Sequence, residues 1–346
     1  MIDTEWKAIF IRELANNDLL CSEEKYRLGR DTIKSFGKGE WQRLEKTLSA
    51  KEMSRLLKWY GTQNPKREIQ RILGFGFALT DFLIRPIERN EIRFKKFLEI
   101  GAIANLIICV FDSLVDNHSD HNWIRQYARR INSGFQESYI DRVLFWKDEK
   151  YMLMMSLTRV FMHRLYETIE DRKARDFVLK YVQVAFTAEA KTLYKMETGN
   201  RFIASRKSAL AILLLGAPAI VVNSQEKERS GIGHFIWTYR VGELLGRVDD
   251  LCDYSFDIDN DSANYYKSDC SSELNEFNPV GEIVKLVSDI EHILRKYSAD
   301  NDLKDYPGKS SFLLYAIISW IGGPRLESES ENALVQKMGS VMRYSE

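Results

Sequence analysis

Proline and cysteine are both scarce in this chain. It has six prolines and four cysteines in 346 residues, and few stretches alternate between apolar and polar residues as a half-exposed strand would. No two cysteines have Cys-x-x-Cys spacing, which excludes the metal and redox motifs built on that pattern. We therefore expect a helical protein with free thiols in a reducing compartment, the cysteines being Cys21, Cys109, Cys252 and Cys270.

The chain also lacks an excess of charge of either sign. It has 50 basic and 50 acidic side chains, so its net charge is zero. Phosphate backbones are bound through a basic surplus or a basic stripe, and we therefore expect no nucleic-acid partner. The rest of the composition is that of an ordinary globular protein, with 45% hydrophobic and 29% charged residues. It leaves the oligomeric state open, including a homodimer.

Long apolar runs are missing too. The first residues, MIDTEWKAIFIREL, contain none, so we expect no signal peptide and a cytoplasmic location. The longest apolar tract, Ala209 to Val222, is too short to span a bilayer and contains Gly216 and Pro218. We expect a buried helix with a break there, and no integral membrane segment.

Helical periodicity dominates the remaining sequence. Leu98 to Asp116 is apolar nearly all round, which predicts a central helix covered on most sides. The sequence therefore predicts an all-α protein with a single large multi-helix domain over residues 76–346, and a helical extension packed on it over residues 1–75. The other helices are predicted over 152–168, 174–194, 208–228, 233–256, 280–297 and 310–321.

Two groups of aspartates each end an apolar predicted helix. The first contains Asp112 and Asp116, and the second has the order Asp249-Asp250-x-x-Asp253-x-x-x-Asp257. Residues four apart on a helix are separated by about 40° around its axis. Asp112 and Asp116 therefore share one face, as do Asp249, Asp253 and Asp257. Asp250 points about 100° away from Asp249 and is expected to support its neighbours.

Such rows destabilise a helix unless a cation compensates them. Like charges four residues apart repel, and acids near a helix C-terminus oppose its dipole. Donor sets made only of carboxylate oxygens suit hard cations, so Mg²⁺ is expected, with Mn²⁺ as the alternative. The simpler interpretation is two solvated acidic helix ends without a metal.

A pair of acidic motifs of this kind resembles the class I isoprenoid synthases. Within that superfamily the second motif is similar to the terpene synthase metal triad, (Asn/Asp)-Asp-x-x-Ser-x-x-x-Glu. The spacing here is the same, with Asp253 and Asp257 in place of serine and glutamate. In the first motif Asp112 is followed by Ser113, where the family commonly has paired acids. The resemblance covers about residues 90–346.

Basic residues extend the resemblance. The family usually carries a diphosphate-sensing arginine before a helix break upstream of the triad, and Arg206 precedes Gly216 and Pro218 here, with Arg201 as a second candidate. An Arg-Tyr pair near the C-terminus often closes over the diphosphate in the family. Arg343 and Tyr344 are the corresponding pair here.

The resemblance implies a Mg²⁺-dependent terpene synthase, a lyase of isoprenoid biosynthesis that ionises a linear isoprenyl diphosphate and cyclises or rearranges the cation. Its metal ligands would be Asp112, Asp116, Asp249, Asp253 and Asp257. The alternatives are a prenyltransferase of the same superfamily, with head-to-tail or head-to-head coupling of two isoprenoid units, and a non-catalytic helical binding protein.

Three other motif interpretations are weaker. His118 and His121 follow the first acidic motif with the spacing of a zinc or iron site, but in a polar, loop-like stretch. The acids from Asp257 to Asp261 do not form a calcium loop, because its sixth and twelfth positions would be Ser262 and Ser268. They also lack the Asp-x-Asp-Asp pattern of cyclases that protonate an alkene, which favours chemistry started by ionisation.

Overall fold

A computed structural model gives the architecture over most of the chain. It describes residues 9–10, 12–14, 16–17, 19, 23–60, 63–117, 149–192, 201–226, 231–252, 254, 257, 264–266 and 279–301. These residues form helices and a few turns, and no strand occurs among them. The all-α prediction is confirmed.

Nine long helices lie within the described ranges. They are α1 (Glu23–Thr47), α2 (Ala50–Tyr60), α3 (Pro65–Ile84), α4 (Glu91–Asn117), α5 (Glu149–Thr168), α6 (Arg172–Thr192), α7 (Arg201–Glu226), α8 (Gly231–Cys252) and α9 (Pro279–Asn301). The predicted helices from α4 to α9 are confirmed, although α7 begins seven residues earlier than expected and α8 is described only to Cys252. The helix predicted over 310–321 lies outside the described residues.

The starts of two helices follow from local sequence. Pro65 is the first residue of α3, where a missing N–H has no cost. Asn64 precedes it as the N-cap and accepts a hydrogen bond from the Arg67 N–H. Asp171 does the same for α6, because its carboxylate accepts from the backbone N–H of Ala174.

The chain divides into two compact units. One contains residues 32–194 and 210–239, and the other contains residues 1–31, 195–209 and 240–346. Helices α1, α7 and α8 therefore contribute to both. Residues 32–75 belong to the same unit as α4, α5 and α6. The separate N-terminal extension over residues 1–75 stays a prediction.

In the unit of residues 32–194 and 210–239, α4 is the central helix. Every residue from Ile100 to Ile107 is buried, as its apolar sequence predicts. It packs against α3, α5 and α6. The crossing with α3 is close, since a Cβ added at Gly76 would lie 2.6 Å from the Asn105 Cβ and 2.9 Å from the Gly101 carbonyl oxygen. The buried Asn105 side chain donates across this crossing to the Ile72 carbonyl at 2.9 Å.

Helix α7 runs through the position where a break was expected. It is continuous from Arg201 to Glu226, with Pro218 inside it, so the predicted break is wrong. Pro218 has no N–H to donate to Leu214. Leu214, Leu215, Ala217 and Ala219 are all buried, however, and their packing keeps the segment helical.

One stretch of α7 passes a membrane-span test by length and composition. Among the described residues, Ala204–Ser224 is the only helix long and apolar enough to cross a bilayer. Of its most apolar window, 72% is buried inside the protein. A buried core helix passes the same test, so the stretch is weak evidence for a membrane segment.

Candidate acidic sites at two helix ends

The first acidic group lies where α4 leaves the core. Val110 and Phe111 are buried, whereas Asp112 and Ser113 are half-buried. Asp116 belongs to the last turn of the same helix, and its side chain is outside the described set. The structure therefore supports a common helix for the two aspartates and describes the surroundings of Asp112 alone.

The second acidic group begins in the last turn of α8. Asp249 and Asp250 are half-buried between the buried Val248 and Leu251. Asp257 is also helical and half-buried, while Asp253 lies outside the described residues. Asp249 and Asp250 thus lie in the last turn of α8, and Asp257, the other predicted ligand at a described position, lies five residues beyond Cys252.

The buried side chain of Asn264 holds this region together. Its Nδ2 donates to the Asp250 carbonyl oxygen at 2.6 Å and to Asp257 Oδ2 at 2.8 Å. The Tyr265 backbone N–H donates to Asp250 Oδ2 at 2.8 Å, and the Tyr266 N–H donates to Asn264 Oδ1 at 2.9 Å. Asp250 therefore anchors the turn at residues 264–266.

A buried arginine lies next to these acids. Arg247, one turn before Asp250 on α8, is only 8% exposed. Its Nη1 contacts Asp289 Oδ2 on α9 at 2.6 Å, and its guanidinium lies 5.3 Å from the centre of the Tyr265 ring. Burial alone would lower the pKa of Arg247, but the hydrogen bond to Asp289 and the two adjacent tyrosines hold that pKa above its ordinary value.

Tyr266 is the second tyrosine beside this arginine and, unlike Tyr265, it is buried. Burial raises the pKa of Tyr266, and the nearby positive charge of Arg247 opposes that rise. Tyr266 therefore stays neutral and Arg247 stays charged at ordinary pH. The region contains a fixed positive charge within one helical turn of the aspartates, which the sequence analysis did not identify.

The predicted diphosphate-binding arginines are only partly described. Arg206 is exposed on the first turns of α7, in the same compact unit as Asp249. In that unit α7 lies close to α8, because a Cβ added at Gly246 would lie 2.3 Å from the Ser208 Cβ. Arg201 is in α7 with its side chain outside the described set, and Arg343 and Tyr344 lie outside it entirely. Arg206 thus lies two residues before the contact of Ser208 with Gly246.

The residues fit a hard cation by chemistry, without forming a complete site. Among the described residues, no group of three or more His, Cys, Asp or Glu side chains is placed to hold a metal ion. Asp253 and the Asp116 side chain are two of the five predicted ligands and lie outside that set. The donors that are described, Asp112, Asp249 and Asp257, offer carboxylate oxygens, as Mg²⁺ requires.

Asp112 belongs to a different compact unit from Asp249 and Asp257, and each group is described within its own unit. His118 and His121, the alternative metal ligands, are also outside the described residues.

Comparison with known proteins adds no relative. No protein-family model matches the chain, and a search of the curated proteins finds no match.

Proposed function

We propose that this protein is a Mg²⁺-dependent class I terpene synthase. The observation that carries the proposal is the acidic region at the end of α8, where the buried Asn264 donates to the Asp250 carbonyl oxygen and to Asp257 Oδ2, and Asp249 lies in the last turn of the helix. An acidic group at a helix end supports the likeness of this motif to a metal-binding triad. The all-α architecture and the position of Asp112 at the end of a buried central helix are further support.

Each residue group would then have a defined task. Mg²⁺ would neutralise the diphosphate and make it a leaving group. The residues that would hold it are those of the two aspartate groups, Asp112 with Asp116 and Asp249 with Asp253 and Asp257. Arg206, Arg201 and the Arg343–Tyr344 pair would donate hydrogen bonds to the diphosphate oxygens.

The reaction is a heterolytic cleavage. The allylic carbon–oxygen bond breaks, both bonding electrons leave with the diphosphate, and the hydrocarbon part becomes a cation. The cation cyclises or rearranges and then either loses a proton, which gives a hydrocarbon, or adds water and loses a proton, which gives an alcohol. A chain that is 45% hydrophobic, with 18 phenylalanines, 16 tyrosines and seven tryptophans, has the side chains to surround such a cation.

A prenyltransferase of the same superfamily is the second candidate. The observation in its favour is that, without Asp257, the two motifs are a matched set of aspartate pairs four residues apart, Asp112/Asp116 and Asp249/Asp253. Two aspartate pairs would suit an enzyme that couples two isoprenoid units, head to tail or head to head.

Product analysis separates the candidates. The protein is incubated with Mg²⁺ and one isoprenyl diphosphate of ten, fifteen, twenty or twenty-five carbons, and the extract is analysed by gas chromatography with mass spectrometry. Release of a hydrocarbon or alcohol from a single substrate supports the terpene synthase. A requirement for a second diphosphate substrate supports the transferase. If no substrate turns over and Mg²⁺ with inorganic diphosphate leaves the melting temperature unchanged, a non-catalytic protein with solvated acids is the better description.

A further inference from the structure

An N-terminal helix contacts the acidic end of α4. The Trp59 indole Nε1, at the end of α2, donates to the Ser113 hydroxyl oxygen at 3.3 Å. The two residues are 54 positions apart in sequence, and both lie in the unit of residues 32–194 and 210–239. Ser113 directly follows Asp112, so this hydrogen bond anchors α4 at the first acidic motif.

Helix α2 is itself held in place along its length. Leu56 is fully buried, and α2 packs against α3 and α5. Glu52 accepts hydrogen bonds from Ser49, Ser156 and Arg159. Burial alone would raise the pKa of Glu52, but these hydrogen bonds lower it to about 2. A second ion pair, Arg55 with Glu149, ties α2 to the start of α5. Trp59 therefore extends from a helix with a fixed position.

The tyrosine next to Trp59 faces the same part of the protein. The Trp59 and Tyr60 rings meet edge to face, with centres 5.1 Å apart. Burial raises the pKa of Tyr60, the charge of Arg71 opposes this rise, and Glu68 and Cys109 add to it. Cys109 lies one helical turn before Asp112 and Ser113, so both aromatic residues border this face of α4.

We infer that Trp59 is a positioning residue for the first acidic pair, acting through Ser113. The last turn of a helix frays unless a side chain or a neighbour secures it. Asp112 and Asp116 share one face only while that turn is intact. The Trp59–Ser113 hydrogen bond secures that turn at a position between the two aspartates. Its acceptor is the Ser113 hydroxyl, at the position where the family commonly has a second acid.

This inference rests on the proposed function for its metal, and it is tested by a binding measurement that needs no turnover. Mn²⁺ is titrated into the protein with inorganic diphosphate, and free Mn²⁺ is followed by electron paramagnetic resonance. The first variant is Trp59→Phe, which keeps an aromatic ring and removes the indole N–H donor. The second is Ser113→Ala, which removes the hydroxyl acceptor, and the third combines both substitutions. Each single variant should raise the half-saturating Mn²⁺ concentration roughly 3- to 10-fold, the effect of one hydrogen bond. The double variant should be no weaker than either single one, because all three remove the same interaction.

Trp41→Phe is the matched control. Trp41 is buried, and its Nε1 has no hydrogen-bond partner among the described residues. This variant loses the same indole N–H at a residue of α1 and should leave Mn²⁺ binding unchanged, which separates a positioning effect from general loss of stability. Melting temperatures are recorded for all variants.

The outcomes distinguish the two proposals. The positioning role would be overturned if Mn²⁺ binding were unchanged in both single variants, or if their effects multiplied in the double variant. An equal weakening of Mn²⁺ binding in Trp41→Phe would also overturn it. Absence of Mn²⁺ binding by the wild-type protein would overturn it as well. If the wild-type protein binds Mn²⁺ and both single variants weaken that binding, the positioning role holds even when no isoprenyl diphosphate is turned over, and only the proposed function fails.

Discussion

The side-chain amide of Asn264 donates a hydrogen bond to Asp257 Oδ2 at 2.8 Å. Through the same nitrogen it reaches the Asp250 carbonyl oxygen at 2.6 Å. One buried amide therefore joins the end of α8 to an acidic residue seven positions beyond Asp250. The second acidic motif depends on this contact for its local arrangement.

Replacing Asn264 with alanine should disturb both stability and the acidic motif. The variant loses two donated hydrogen bonds and leaves the Tyr266 N–H without its Asn264 acceptor. We expect the free energy of unfolding to fall by about 2–3 kcal/mol, measured by urea denaturation. The half-saturating Mg²⁺ concentration for diphosphate release should rise as well. An unaltered unfolding free energy would show that the amide does not hold this region.

The pair Arg247 and Asp289 should contribute to stability more than an exposed ion pair does. Asp289→Asn removes the carboxylate that contacts Arg247 at 2.6 Å and leaves a guanidinium that is only 8% exposed. We expect a loss of about 1–2 kcal/mol, reduced from the cost of a fully buried pair because the Asp289 side chain is itself 43% exposed. The control is Asp176→Asn, whose pair with Arg172 is largely exposed, at 3.8 Å. Equal effects of the two substitutions would contradict the assigned burial.

His234 should make the folded state sensitive to acid. Its Nε2 lies 2.7 Å from the Leu83 carbonyl oxygen. Burial lowers the pKa of His234 from 6.5 to about 4, and the hydrogen bond to Leu83 limits that fall. The unfolded chain therefore binds a proton before the folded protein does. The stability that the neutral imidazole contributes is complete above pH 6.5 and is lost as the pH falls from 6.5 to about 4.

The comparison that isolates this residue is wild-type protein against His234→Gln. Unfolding free energies are measured at several pH values across that range. The wild-type protein should lose up to about 3 kcal/mol more than the variant, which follows from the size of the pKa shift. Parallel pH curves would show that His234 is not buried in its neutral form.

Two glycines on α1 should respond to alanine in opposite directions. A Cβ at Gly37 would lie 2.1 Å from the Gln70 carbonyl oxygen on α3, whereas a Cβ at Gly39 would meet nothing within 4 Å. Gly37→Ala should therefore lower the melting temperature, because α1 and α3 must separate. Gly39→Ala should stabilise the protein by about 0.5–1 kcal/mol through better helix propensity. The same sign of change at both positions would refute the close contact at Gly37.

Helices and the helical placement of the acids could be predicted from the sequence, because both depend on local periodicity. The apolar stretch around Ile103 predicts α4, and Asp112 and Asp249 are helical where the spacing places them. The contacts made by Asn264 and Trp59 could not be predicted, because no sequence pattern indicates which segments these side chains join. The prediction of a helix break at Pro218 was wrong, because tertiary packing outweighed the poor helix propensity of proline. Arg247 was missed although it directly precedes the acidic motif, and its burial on an apolar helix was the available signal.

We propose that the two aspartate groups hold Mg²⁺ for ionisation of an isoprenyl diphosphate. The most direct measurement is the rate of inorganic diphosphate release from single isoprenyl diphosphates of ten to twenty-five carbons, as a function of Mg²⁺. We compare the wild-type protein with Asp112→Asn, Asp249→Asn and the exposed control Asp176→Asn. We expect Mg²⁺-dependent diphosphate release by the wild-type and control proteins. In the other two variants the rate of release should fall at least about 100-fold. Equal release by all four proteins, or none from any substrate with Mg²⁺ present, would contradict it.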